Sequence, residues 1–322
     1  MKQVKEIYRS VIVQKLVKNT FWLALGSFVS KGLVVLAYLV LARILSVDEY
    51  GEYGMVKATI DNFLIFATMG VGITVTKFVA ELKTTQTLLV SRILGSSLLL
   101  VFLLGIVLFV LIAVISIPLA TTFLENGNLA MPLLVSGSIL LFIAIGTVLQ
   151  GALLGLQQTR QLFFVQLIQG VLLLVGLSVG GYFYGVIGAI IGNLIAIICM
   201  VLAAYLMLQK SLQLFKITIL IQDVQHTLKK ISRFAIPASM AMLVGAPAIW
   251  LLNAQLVRSQ NGYEELGIYS AVLLFSLAIR TLNTAIGNAV LPVFLGDSLV
   301  MTPKKQFFNY HGAWLICFLV AL

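Results

Sequence analysis

The chain has 322 residues, of which 61% are hydrophobic and only 10% charged, with a mean hydropathy of +1.09; soluble domains carry about 25% charged residues. That composition excludes a water-soluble globular protein and predicts an all-α, polytopic transmembrane protein, because a helix pairs its own backbone polar groups inside hydrocarbon. The formal net charge of +10 does not point to nucleic acid, since the basic residues lie between apolar runs; anionic membrane lipid is their expected partner.

Residues 1–19 form a basic amphipathic arm with no small-residue cleavage site before the first apolar run, and are expected to lie on the cytoplasmic membrane surface. Nine hydrophobic segments follow, at residues 20–45, 54–76, 91–119, 131–154, 162–184, 186–208, 234–257, 266–295 and 307–322. A span needs roughly 20 apolar residues. The ninth is too short to span reliably, so the chain is expected to stop within a longer bundle. The longest polar connection divides the chain into a six-helix lobe at 20–208, a cytoplasmic linker at 209–233 and the truncated start of a second lobe at 234–322.

Orientation follows from the basic residues of alternate connections. The N-terminal arm and the even connections hold 16 Lys and Arg, from Lys2 through Lys305, whereas the other side holds Arg43 and Arg258 beside Asp48, Glu49, Glu52, Glu125, Glu264 and Glu265. The N-terminus and the even connections are therefore expected on the cytoplasmic side of a cell inner (plasma) membrane.

The start of the second lobe repeats the start of the first. Glu49-Tyr50-Gly51-Glu52-Tyr53-Gly54 after segment one aligns with Glu265-Leu266-Gly267-Ile268-Tyr269-Ser270 after segment seven, an offset of 265 − 49 = 216 residues, and Arg43 falls within one position of Arg258. Six intervening helices give both copies the same direction, the pattern of parallel repeats about an axis along the membrane normal. Two similar lobes with a central cavity between them make a transporter architecture.

These stretches, with Leu41-Ala42-Arg43-Ile44-Leu45 and Arg233-Phe234-Ala235-Ile236-Pro237, resemble the polysaccharide and lipid-linked oligosaccharide flippases of the multidrug/oligosaccharidyl-lipid/polysaccharide exporter superfamily. The resemblance implies about 12–14 helices in two six-helix lobes. It also implies alternating access that moves an isoprenoid-pyrophosphate-linked sugar from the cytoplasmic to the outer leaflet, with polysaccharide polymerase machinery as a partner. A multidrug or metabolite exporter, or a lipid II flippase, is the alternative within the superfamily.

Three basic residues fall inside predicted helices: Lys31, Lys57 and Arg280. Charge at mid-membrane costs about 2.5–3.5 kcal/mol on insertion scales and so marks a protein interior or watery cavity. Lys31 shares a helical face with Ser27 and Tyr38, and Arg280 with Ser276, Asn283, Thr284 and Gly287. A guanidinium grips phosphate with two parallel hydrogen bonds while an ammonium acts as a point charge, so both suit a pyrophosphate. Lys57 and Asp61, four apart, read as an intrahelical ion pair, or with Asp61 as the group coupling transport to sodium or protons. Arg43 and Arg258 are candidates at the cavity mouth or for lipid headgroups. Pro237, Gly245 and Pro247 offer a hinge in helix seven.

No catalytic group is expected. His226 and His311 have no acidic cluster around them, and no phosphate loop or metal-ligand spacing is present in the sequence. Cys199 and Cys317 lie in apolar runs and read as packing residues. No cofactor is expected.

Overall fold

The computed structural model describes residues 25–279 except 27, 216, 226, 228, 230 and 232–244. Among them the regular structure is entirely helical. Helix α1 occupies residues 28–44, followed by α2 (Val47–Thr68), α3 (Val71–Leu82), α4 (Thr87–Pro118), α5 (Ala130–Gly155), α6 (Thr159–Leu214) and α7 (Gly245–Leu256), and finally α8 (Gly262–Ile279). The helices α4, α5, α6 and α8 are long and apolar enough to cross a membrane, and α2 with α3 make a further span bent by 41°. The protein is a multi-pass membrane protein.

Local chemistry sets the ends. Ser46 caps α2 in a capping box: its hydroxyl accepts from the Glu49 amide at 3.3 Å, and the Glu49 carboxylate accepts from the Ser46 amide at 3.0 Å. Asp48 and Glu49 in the first turn suit the positive end of the helix dipole. This corrects the expected start of the second span at residue 54. The Glu-Tyr-Gly motif is helix, not connection, and the same correction applies to its second copy, where α8 begins at Gly262 rather than 266. The bend between α2 and α3 lies at Met69 and Gly70, both with positive φ.

Helix α6 folds back on itself at Gly185, whose φ of 59° and ψ of −140° suit glycine. Its two arms pack backbone to backbone: Gly180 against Gly188, and Gly176 against Gly192. Small residues four apart on each arm permit that approach, which is how helices gain dispersion contacts where lipid removes the hydrophobic drive. The expected connection between segments ending at 184 and starting at 186 is this turn, but the second arm continues to Leu214, into the stretch expected to be linker.

Helix α5 is the hub of the first bundle, packing against α2, α3, α4 and α6. Only 22% of the most apolar stretch of α4 is buried among the described residues, which suits a stretch that faces lipid. Tyr182, Phe183 and Tyr184 are exposed beside the Gly185 turn, as expected of an interfacial aromatic belt.

The connections sort to two ends. At the acidic end, Gly185 lies beside Glu49, Asn126 donates to Glu52 at 2.6 Å, and Tyr263 donates to the Leu124 carbonyl at 2.7 Å. At the basic end, Lys83 donates to the Gly155 carbonyl at 3.1 Å, Ser211 to Gln161 at 2.6 Å, and Leu220 to the Ser91 carbonyl at 3.1 Å. There Arg92 also meets Asp223 at 3.5 Å, which ties residues 217–223 to the start of α4.

Candidate functional site

Helices α2 and α8 meet near the acidic end in a reciprocal contact. A Cβ on Gly51 would strike the carbonyl of Tyr263 and reach the amide of Gly267, and a Cβ on Gly267 would strike the carbonyl of Val47 and reach the amide of Gly51. With the 216-residue offset, 47 pairs with 263 and 51 with 267, so each contact maps onto the other. The two copies of the motif face each other across a local pseudo-two-fold axis, with Gly54 beside its own equivalent, Ser270.

Directly along this axis lies a cavity of about 530 Å³, lined among the described residues by α1, α2, α7 and α8. The first copy contributes Tyr38, Tyr50, Tyr53, Lys57, Asp61 and Asn62; the second contributes Trp250, Asn253, Tyr269, Ser270, Leu273 and Leu277. Lys57 and Asp61 pair at 2.5 Å, and their side chains are 39% and 54% exposed. Both line the cavity. The Lys57 ammonium also lies 5.9 Å from the Tyr38 ring centroid, a cation–π distance. The Asn62 side-chain oxygen is buried with no hydrogen-bond partner among the described residues.

The roof of the cavity toward the acidic end is a layered contact. Trp250 donates its indole N–H to the Thr59 hydroxyl at 2.9 Å, and that hydroxyl donates to the Met55 carbonyl at 2.9 Å. Phe123 stacks on Trp250 with centroids 5.7 Å apart and planes 14° from parallel. The Arg258 guanidinium lies 5.6 Å from the Phe123 centroid and donates to Glu125 at 3.2 Å.

The structure thus brings Lys57 and Asp61 into the cavity and places Arg258 in the clasp above it. Arg43 is exposed at the end of α1. Lys31 is exposed on α1, seven residues from cavity-lining Tyr38 on the same face, about 10 Å further toward the basic end at 1.5 Å per residue. Arg280 lies outside the described residues, as do Ser27, Pro237, Cys317 and both histidines. Sequence reasoning missed Trp250, Thr59, Asn253, Tyr50 and Tyr53. A tryptophan with a single polar donor inside an apolar run was the available signal, because a buried indole N–H needs a partner.

The architecture is that of the transporters of the MOP superfamily. A MOP superfamily transporter from Pyrococcus furiosus, described by the reverse polarity of its binding pocket, matches with a TM-score of 0.67 at 19% identity over 96% of this chain and 71% of its own. A multidrug resistance MATE family transporter matches in an outward-facing conformation with a TM-score of 0.69 at 18% identity, over 96% of this chain and 71% of its own. An inward-facing MATE structure matches at 0.64 and 17% identity, over 90% of this chain and 68% of its own. Since both conformations match, the likeness defines the fold and not the state. No curated protein sequence matches the chain. The chain belongs to the polysaccharide biosynthesis protein family, whose model matches residues 16–295.

Proposed function

We propose that the protein is a transporter that flips an isoprenoid-pyrophosphate-linked oligosaccharide from the cytoplasmic to the outer leaflet by alternating access, with the basic end cytoplasmic. The observation that carries this reading is the cavity on the axis between the two motif copies, inside a membrane bundle, with Lys57 projecting into it among aromatic rings. A cation favours a phosphate group, while tyrosine and tryptophan faces suit sugar C–H groups and isoprenoid alike. Lys31 and Arg280 extend the same reading toward the cytoplasm. Arg280 follows cavity-lining Ser276 by four residues, the spacing of one helical face. Membership of the polysaccharide biosynthesis family supports the sugar. Anionic lipids and polysaccharide polymerase machinery are the partners we assign, and the six-helix lobe, linker and second lobe are the moving parts. Nothing in this scheme makes or breaks a covalent bond.

The second reading is export of a flat cationic compound, as in a multidrug transporter. The observation favouring it is Asp61 in an aromatic-lined cavity. The two readings require opposite residues. In a cell lacking its own flippase, the gene is expected to restore surface polysaccharide, and Lys57→Ala, Lys31→Ala and Arg280→Ala to fail at matched membrane levels. Failure of the wild type, or full function of all three variants, overturns the flippase reading. Loss only with Asp61→Asn, together with drug resistance conferred by the wild type, establishes the second.

A further inference from the structure

The cavity and the acidic-end clasp share one side chain. Trp250 lines the cavity, yet its N–H is spent on Thr59 of α2 and its ring face on Phe123. Phe123 and Glu125 belong to the connection after α4, and Arg258, eight residues after Trp250, engages both. Every one of these contacts joins the α7–α8 unit to the α1–α6 unit. An indole has a single donor. Thr59 is fully buried and does not line the cavity, so a ligand oxygen takes that donor only by drawing the indole toward the cavity, and a phosphate oxygen is a stronger acceptor than a neutral hydroxyl. The Thr59 hydrogen bond fixes one edge of the indole on which Phe123 stacks, and Arg258 and Glu125 are both about half exposed, so their pair is weak.

We propose that Trp250 senses ligand in the cavity: a ligand oxygen that takes the indole N–H from Thr59 unstacks Phe123, frees Arg258 from Glu125 and lets α7 and α8 part from α2 at the acidic end. A ligand with no acceptor for the indole binds without opening this end. The device rests on the cavity being the ligand site.

The test uses spin labels at Asp48→Cys and Glu264→Cys, exposed positions related by the 216-residue offset, in a full chain with Cys199 and Cys317 replaced by serine, reconstituted in nanodiscs. Distances are read by double electron–electron resonance. Without ligand, Trp250→Phe and Thr59→Val each raise the ratio of long to short distances about fivefold, the factor one ordinary hydrogen bond contributes to an equilibrium. Farnesyl pyrophosphate raises the ratio in the parent protein and adds no further change in the two variants, although calorimetry shows that they still bind it. The proposal is overturned if both variants keep the parent distribution, or if farnesyl pyrophosphate opens parent and variants by the same factor. Should Trp250→Phe fold poorly, Thr59→Val reaches the same bond from its other end. If farnesyl pyrophosphate does not bind the parent, the pyrophosphate assignment of the cavity fails, while the ligand-free distances still decide whether Trp250 holds the clasp.

Discussion

The two halves of the cavity share one motif and differ in the charge they carry. At the glycine that brings the two helices together they agree, Gly51 matching Gly267, and the cavity-lining Tyr53 matches Tyr269. At the positions that carry charge they differ, since Lys57 aligns with Leu273 and Asp61 with Leu277, all four lining the cavity. The first half holds the charged pair and the second holds the tryptophan that locks the roof. Close packing constrains both helices equally, because two backbones in contact exclude a side chain from either. Electrostatics imposes no such symmetry; one cation on the axis serves a ligand from either side. A pseudo-symmetric scaffold thus carries an asymmetric site.

The largest expected effect comes from breaking the shared positions. Gly51→Leu or Gly267→Leu places a side chain where the partner backbone already sits. Overpacking of this kind costs about 1–3 kcal/mol, and here it falls only on the state in which α2 and α8 touch. The acidic end is then held open. A cysteine at Ser270, which lines the cavity, should react faster with a membrane-impermeant maleimide from that side, by roughly one to two orders of magnitude, and transport should stop. Unchanged labelling would show that this contact does not close the protein.

The next effect tests the divergent positions. Lys57→Ala is expected to weaken binding of an isoprenoid pyrophosphate by about 1.5–3 kcal/mol, the range of hydrogen bonds to charged groups. Asp61→Asn releases Lys57 from its partner and should leave binding unchanged or tighten it slightly, since a helical pair four residues apart contributes only about 0.2–0.5 kcal/mol. Calorimetry on both variants reads the asymmetry directly. Equal losses would mean that the pair acts as a structural unit and that neither residue recognises ligand alone.

Moving the charge sharpens the comparison further. In the double variant Lys57→Leu, Leu273→Lys, the ammonium crosses to the equivalent position of the second half. If the axis makes the two sides interchangeable to a small anionic group, affinity should return to within about tenfold of wild type, or 1.4 kcal/mol. No recovery relative to Lys57→Leu alone would show that the surroundings of Lys57, Tyr38 among them, orient the ligand as much as its charge does.

The helical class, the repeat and the Lys57–Asp61 pair were legible because each rests on a periodicity or a spacing that survives in one dimension. The Glu-Tyr-Gly motif misled because glycine reads as a turn signal. Its role here is close helix approach, and the competing signal, Ser46 three residues before Glu49, marks the true helix start. The roof was not legible at all. It joins Thr59, Phe123, Trp250 and Arg258 from three separate stretches of chain, and no local pattern announces which phenylalanine will meet which tryptophan. Lys31 was placed on the face of Tyr38 by spacing alone; Tyr38 lines the cavity, and Lys31 is not among its lining residues.

The smallest effect separates two arginines that the repeat makes near equivalents. Arg258 bridges to Glu125 across the halves, whereas Arg43 is exposed at the end of α1 within the first half. An exposed ion pair contributes about 0.2–1 kcal/mol, so Arg258→Gln should shift the ligand-free balance toward opening at the acidic end by no more than about fivefold. Arg43→Gln should shift it not at all, because no contact through Arg43 holds α1 to α7 or α8 among the described residues. The Asp48–Glu264 distance reads both variants, and raising the salt concentration should reproduce the Arg258→Gln shift in the wild type while leaving Arg258→Gln itself unmoved, since screening acts only on a pair that is present. An equal response of the two arginines would place the closing force in the general balance of charge on this acidic surface and not in the Arg258–Glu125 pair.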